Sequence, residues 1–340
     1  MANIRREQRV SGRLDIGRVF DRLNKMRERS IDHTVPGKDV EFSADGTLNV
    51  KGEGKFSFTD WSFSQFCTKL HLPTDFMRRS PEGDGPASRK RIIDHWKEQF
   101  FNDKTFLFRM KGHEHKDEET GAVGRVRAVL TDRYSVFDNL DLLNLVQPMV
   151  AKNNLGIQLG NVTEKSFHIR LLYPDEINVG TEETPDIHQT GIHISNSEVG
   201  SRNMTGDILL YRQICTNGMI ALLDKDHLFY QRHVNVLPQE VRTKLVSAFE
   251  LADVRRMEMA DKVMEALGVE VLRAHSEIGK FLKLHRGTDE FIEKARESFD
   301  IEPNNSRYGV VNAITRAAQT LPIDQRVAME EVAGRYLLAA

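Results

Sequence analysis

Two runs decide how the middle of this chain is read: Phe106-Leu107-Phe108-Arg109-Met110-Lys111 and, after a polar interval, Arg125-Val126-Arg127-Ala128-Val129-Leu130. Side chains along a strand point alternately to its two faces, so Phe106, Phe108 and Met110 share one face and Arg109 and Lys111 the other. In the returning run Val126, Ala128 and Leu130 fall on one side, with Arg125 and Arg127 opposite. Paired as a hairpin, the two strands are predicted to carry four cations on one surface. The connection, residues 112–124, holds His113, Glu114, His115, Lys116, Asp117, Glu118 and Glu119 and reads as a polar surface loop. Its His-x-His pair lacks a third metal ligand at a diagnostic spacing.

Outward from this hairpin, the pattern alternates between short strands and helices. Toward the N-terminus, residues 37–58 read as short strands broken by Asp45-Gly46, Gly52 and Gly54. Ser62 with Gln65 reads as a capping box ahead of Phe63, Phe66, Cys67 and Leu70, with Pro73 ending that helix. Residues 80–88 read as a loop, and Ile92, Ile93, Trp96 and Phe100 mark another helix. Toward the C-terminus, 130–139 runs from a strand end into a helix with Leu140, Leu143, Val146 and Val150, which Pro148 is expected to kink or shorten. Strands follow at 157–161 and 167–172, the latter with His168 and Arg170 at alternate positions, and 190–197 is expected to pair with 207–215. Beyond Pro238, Val241, Leu245, Ala248, Ala252, Ala260, Val263 and Leu267 keep helical spacing, and further helices are expected over 269–284, 288–299 and 308–320. The expectation is an α+β fold of mostly antiparallel strands with packed helices. It divides into a basic helical arm (1–30), an α+β body (31–236) and a helical C-terminal region (237–340).

The arm is the most basic part: residues 1–29 hold nine Lys or Arg against four acids, and Ile16, Phe20 and Leu23 predict a short amphipathic helix over 14–28. Over the whole chain, however, 48 Lys and Arg face 50 Asp and Glu, a net charge of -2, so any polyanion must be met by local charge. With 340 residues, 39% hydrophobic and 29% charged, the composition is that of a globular protein. Two cysteines, Cys67 and Cys215, form neither a disulfide framework nor a zinc pair and point to a reducing compartment. Cys67 falls on an apolar helix face and is expected to be structural. No apolar run is long enough to span a bilayer, so no membrane partner is expected. Residues 171–201 contain six acids and no Lys or Arg, read as an acidic surface stretch.

Cofactor signatures are missing from the sequence. There is no G-x-x-x-x-G-K-[ST], no G-x-G-x-x-G after a strand and no H-E-x-x-H, so no cofactor is expected. His193-Ile194-Ser195 is half of a two-histidine phosphoesterase pattern whose only partner, His168-Ile169-Arg170, lacks the hydroxyl. Asp132, Asp138, Asp141, Asp175 and Glu176 match no nuclease spacing, and Asp132 and Asp138 read better as a turn residue and a helix cap. The cations are the stronger signal, because single strands are held by a charged groove and aromatic platforms. Arg109, Lys111, Arg125 and Arg127 are the candidate phosphate ligands. Arg133, Tyr134, Arg170, Tyr211 and Arg212 complete the candidate nucleic-acid set.

Three ordered segments resemble the phage/plasmid-like family called domain of unknown function 932. They are Val129-Leu130-Thr131-Asp132-Arg133-Tyr134-Ser135-Val136-Phe137-Asp138-Asn139, then Gly191-Ile192-His193-Ile194-Ser195-Asn196-Ser197-Glu198-Val199-Gly200 with Leu210-Tyr211-Arg212-Gln213-Ile214-Cys215-Thr216-Asn217-Gly218-Met219, then Tyr308-Gly309-Val310-Val311-Asn312-Ala313-Ile314-Thr315. That family usually has Ser-His-Asp where this chain has Ser195-Asn196-Ser197, so no histidine role carries over. The resemblance implies a phage or plasmid protein working among DNA-maintenance functions in the cytoplasm of a bacterial host. The resulting expectation is a homo-oligomeric single-stranded DNA-binding protein that promotes strand annealing without turnover chemistry. The alternatives are a metal-dependent nuclease or phosphoesterase using His168 and His193, and a structural or protein-interaction component of a mobile element.

Overall fold

An amphipathic helix, α1 (Ile16–Glu28), buries Val19 and Leu23 and turns its arginines outward. The computed structural model describes residues 16–79, 86–213, 216–222 and 226–339. Arg5, Arg6, Arg9, Arg13, Cys215 and most of the loop expected at 80–88 lie outside the described residues.

The first sheet contains β1 (Ser30–Pro36), β2 (Val40–Phe42), β3 (Leu48–Val50), β4 (Gly54–Phe58), β5 (Thr105–Gly112) and β6 (Gly124–Thr131), in the order β1-β5-β6-β4-β3-β2. Only β4 and β6 run parallel; the other pairs are antiparallel. Helices α2 (Asp60–Lys69), α3 (Thr74–Arg79) and α4 (Pro86–Phe100) lie between β4 and β5 in the chain. Phe66, Cys67 and Ile93 from these helices join Phe42, Phe56, Phe106, Phe108 and Met110 in one core cluster. Cys67 is fully buried, and burial pushes its thiol up to about 11, as a structural cysteine requires.

The expected hairpin forms, with one change that alters its faces. A β-bulge between Arg109 and Met110 pairs Arg109 with Ala128 and Met110 with Val126, leaving Arg127 as the extra residue. Past the bulge the alternation inverts: Val126 and Val129 join the first core, whereas Ala128 and Leu130 pack with Leu107 and Val199 on the opposite side. The expected single face of Val126, Ala128 and Leu130 is therefore corrected. So is the surface of four cations, because Arg109 and Arg127 are buried.

Two local expectations also shift. The capping box of α2 is one turn earlier than expected: Thr59 is the N-cap and accepts from the Ser62 N–H at 3.1 Å, while Ser62 Oγ accepts from the Thr59 N–H at 3.0 Å. Gln65 instead ties α2 to its surroundings, accepting from Val129 N–H and donating to the Val199 carbonyl. Helix α5 (Asn139–Lys152) continues a turn past Pro148 rather than ending there, and Asp138 caps it as expected.

The second sheet contains β7 (Gly156–Val162), β8 (Phe167–Asn178), β9 (Ile187–Asn196), β10 (Met204–Arg212) and β11 (Asn217–Ala221) in the order β11-β10-β9-β8-β7, with β12 (Phe229–Gln231) also on β10. All these pairs are antiparallel, and Thr190 faces Leu210 as the expected β9–β10 pairing requires. The helical third comprises α6 (Pro238–Gly268), α7 (Ala274–Leu284), α8 (Asp289–Ile301), α9 (Arg307–Ala318) and α10 (Ile323–Leu338). It shares one continuous core with this sheet and with α1 and α5, running from Val19 through Ile194 to Leu337. The fold is α+β with a helical C-terminal third.

Candidate nucleic-acid interface

Helical spacing puts Arg18, Arg22, Lys25 and Arg29 on one side of α1 and its C-terminal turn, since residues three, four and seven apart share a face. All four are exposed. The helix is fixed from its other side. Val19 sits on Gly160 of β7, where an added Cβ would lie 2.7 Å from a Val19 methyl. Arg22 donates to the Val162 carbonyl at 2.9 Å, and Arg27 pairs with Asp138 at 3.2 Å and Asp141 at 2.6 Å. Directly after the helix, the Gly112 N–H donates to the Arg29 carbonyl at 2.9 Å, drawing the end of the β5–β6 hairpin against the arm.

Between α1 and that hairpin end lies a cleft of about 990 Å³. Arg18, Arg22, Lys25 and Arg29 form one wall, and Lys111, Arg125 and Arg127 the other. Against these seven cations stand three acids, Asp21, Glu114 and Glu164. Glu114 pairs with Arg29, and Arg127 with Glu198 at 2.8 Å. Arg18, Arg22, Lys25, Lys111 and Arg125 have no carboxylate within ion-pairing distance among the described residues. The electrostatic result shows at Lys111: burial, then the nearby Arg127, Arg29, Arg22 and Arg125, hold its ammonium below the ordinary lysine value. An anion in the cleft would relieve that repulsion. Among the described residues, no Phe, Tyr or Trp lines it.

The sequence-predicted residues divide into two groups. Lys111, Arg125 and Arg127 line the cleft, with Arg125 exposed and Arg127 buried in its ion pair. The others lie elsewhere. Arg109 is 1% exposed; it donates to both Asp32 oxygens at 2.8 and 3.0 Å, to Asp138 at 2.6 Å and to the Glu198 carbonyl at 3.0 Å. Burial alone would lower its pKa, and the Asp32 and Asp138 carboxylates more than offset that. Arg170 is fully buried against Glu330, itself fully buried. Arg212 is buried between Asp186 at 2.7 Å and Glu302 at 2.5 Å. These three guanidiniums are structural charges with no surface to present to a phosphate, so their expected role as ligands is corrected.

The two tyrosines are tied inward as well. Tyr134 donates its hydroxyl to the Ser197 carbonyl at 2.8 Å and stacks on His233, ring centroids 4.8 Å apart. Tyr211 packs half-buried with Leu172, Leu209, Ile220 and Val327. Arg133 is exposed at the turn after β6, outside the cleft lining. The sequence marks the basic N-terminus as a whole as a contact for DNA or a neighbouring subunit; the spacing of its four cleft cations is readable there, but nothing in it singles them out as phosphate ligands.

The histidines considered for phosphoester chemistry form an interior network. His168 and His193 stack with Nδ1 of the first 3.2 Å from Nε2 of the second, and His168 Nε2 lies 3.0 Å from Asp324 Oδ1 and 2.9 Å from Ser166 Oγ. His193 is 1% exposed, and burial keeps both imidazoles below their ordinary value, His193 well below. The His168 hydrogen bond in turn helps hold Asp324 down at about 2. Among the described residues, no three His, Cys, Asp or Glu side chains are grouped to hold a metal ion, the His113/His115 loop included. No helix among the described residues is long and apolar enough to cross a membrane. Compared with protein-family models, curated proteins and solved structures, the chain matches none.

Proposed function

We propose that the protein binds single-stranded DNA along the cleft between α1 and the β5–β6 hairpin, and that it promotes strand annealing as a homo-oligomer in phage or plasmid DNA metabolism. The observation that carries this reading is the concentration of seven cations against three acids in one cleft of a chain whose net charge is -2. Phosphate backbones are held by such local fields irrespective of sequence. The arm face from Arg18 to Arg29 extends over about 16 Å at 1.5 Å per residue, room for several phosphates in a row. With no aromatic ring in the lining, a strand held by its backbone would turn most of its bases outward, and accessible bases are what annealing needs.

The oligomer has its own support on α6. Val254 is 65% exposed, and Met257 and Met264 are each 54% exposed. Val246, Met257 and Met264 lie 11 and 7 residues apart and so share one side of the helix, a face suited to a second copy. The test of function is fluorescence anisotropy with labelled single- and double-stranded oligonucleotides at two salt concentrations, with divalent metal added in parallel and product length followed on a gel. Salt-sensitive binding without cleavage supports the reading. Cleavage abolished by His193→Ala would move function to the histidine network, and no binding at low salt would leave a protein partner as the ligand.

A further inference from the structure

A tryptophan and a lysine stand close in the chain to two residues of the cleft lining. Thr59 lines the cleft and caps α2, and Trp61 follows two residues later; Glu164 lines it too, and Lys165 is the next residue. The Lys165 ammonium lies over the Trp61 ring, 5.2 Å from its centroid. The indole is partly exposed and packs on Leu107, Ala128, Leu130 and Val199. Its N–H donates to the Val199 carbonyl at 2.9 Å. Lys165 is anchored by its backbone, its carbonyl accepting from Ser197 and Ser201 hydroxyls at 2.6 and 2.7 Å, while its side chain is exposed.

We infer that Trp61 is the stacking platform of this site, receiving an unpaired base beside the cleft while the Lys165 ammonium shifts to the adjoining phosphate. This rests on the reading of the cleft as a phosphate-backbone site and adds what that reading lacks, a reason for preferring single strands. Tyr134 is stacked on the His233 ring and Tyr211 packs with Leu172, Leu209, Ile220 and Val327, whereas the Trp61 ring, supported from behind, carries only a movable cation over it. Because the indole N–H is already engaged by Val199, the ring offers its π-face and no base-specific hydrogen bond. Any base can stack there, but a base inside a duplex is covered on both faces by its neighbours.

The test compares three labelled probes of about 20 nucleotides: oligothymidylate, an abasic oligomer of the same backbone length, and a duplex. Anisotropy reports affinity, and tryptophan fluorescence reports stacking. The chain has two tryptophans, and Trp96 stacks on Phe100 in α4, so Trp96→Phe isolates Trp61 as the reporter. Oligothymidylate should quench Trp96→Phe but not Trp61→Phe, and should bind the wild-type protein on the order of tenfold more tightly than the abasic probe. Trp61→Ala should bind the two alike. If wild-type protein binds both single-stranded probes equally, with normal salt dependence and no quenching in Trp96→Phe, the stacking inference falls and the cleft reading stands. If no probe binds, both fall. The wild-type comparison requires no variant to fold.

Discussion

Replacing Arg18, Arg22 and Lys25 together by alanine tests the cleft in the way its geometry makes most quantitative. All three are exposed on α1, and alanine favours helix, so the fold should survive; the interaction lost inside the protein is the Arg22 hydrogen bond to the Val162 carbonyl. Five lining cations, these three with Lys111 and Arg125, lack a carboxylate partner among the described residues and can each displace a counterion from a bound strand. For single strands the logarithm of affinity falls with the logarithm of salt at about 0.7 per phosphate neutralised, which gives a slope of about -3.5 for five contacts and about -1.4 for two. Between about 50 and 200 mM salt the wild-type protein should lose about 130-fold in affinity and the variant about 7-fold. Anisotropy titrations across that range measure both slopes, with circular dichroism as the check on folding. A folded variant that keeps the wild-type slope would refute the placement of the strand.

Three further outcomes separate structural from binding residues. Tyr134→Phe should cost about 1 kcal/mol in urea denaturation, from the lost hydrogen bond to Ser197, and leave oligonucleotide affinity unchanged; a large loss of affinity at unchanged stability would return Tyr134 to the site. Arg109→Met should destabilise by about 3–5 kcal/mol, because Asp32 and Asp138 lose the buried cation they share; an effect below about 1 kcal/mol would contradict the buried network. Burial holds His233 at about 4, beyond what its Ser135 carbonyl contact restores. The folded state therefore takes up its proton later than the unfolded chain as pH falls. The stability from this group is complete above about pH 6.5 and is lost as pH drops toward 4, an amount on the order of 3 kcal/mol. Urea midpoints at several pH values should show that decline, and His233→Gln should flatten it; an unchanged decline in a folded variant would assign it to other groups.

What the sequence disclosed follows from how far its signals reach. The hairpin, the arm helix and α6 announce themselves through spacing within a few residues, and each is present. The bulge at Arg127 does not, because one extra residue leaves both strands looking alternately apolar; only the pairing of Met110 with Val126 reveals it. Burial of charge was equally hidden. Arg170 finds Glu330 and Arg109 finds Asp32 and Asp138 through the tertiary fold, so an arginine on a half-apolar strand reads the same whether it faces solvent or a distant carboxylate. For the cleft, the helix spacing of Arg18, Arg22, Lys25 and Arg29 was legible, but its opposite wall came from the end of a hairpin more than eighty residues away.

The shared carboxylate of Asp138 has a kinetic meaning. It joins Arg27 of the arm to Arg109 of the first sheet, while Val19 and Arg22 hold the same helix to β7. The helix that carries the cationic wall thus stands before any strand arrives and needs no backbone ordering on contact, which removes part of a common entropic cost of association. Encounter should then be governed by long-range attraction alone: fast at low ionic strength and slowing steeply as salt shortens the reach of the field. Lys25→Ala, which removes one exposed cation of that wall, should therefore slow association most at low salt and little at high salt; an association rate unchanged at low salt would count against steering by the wall.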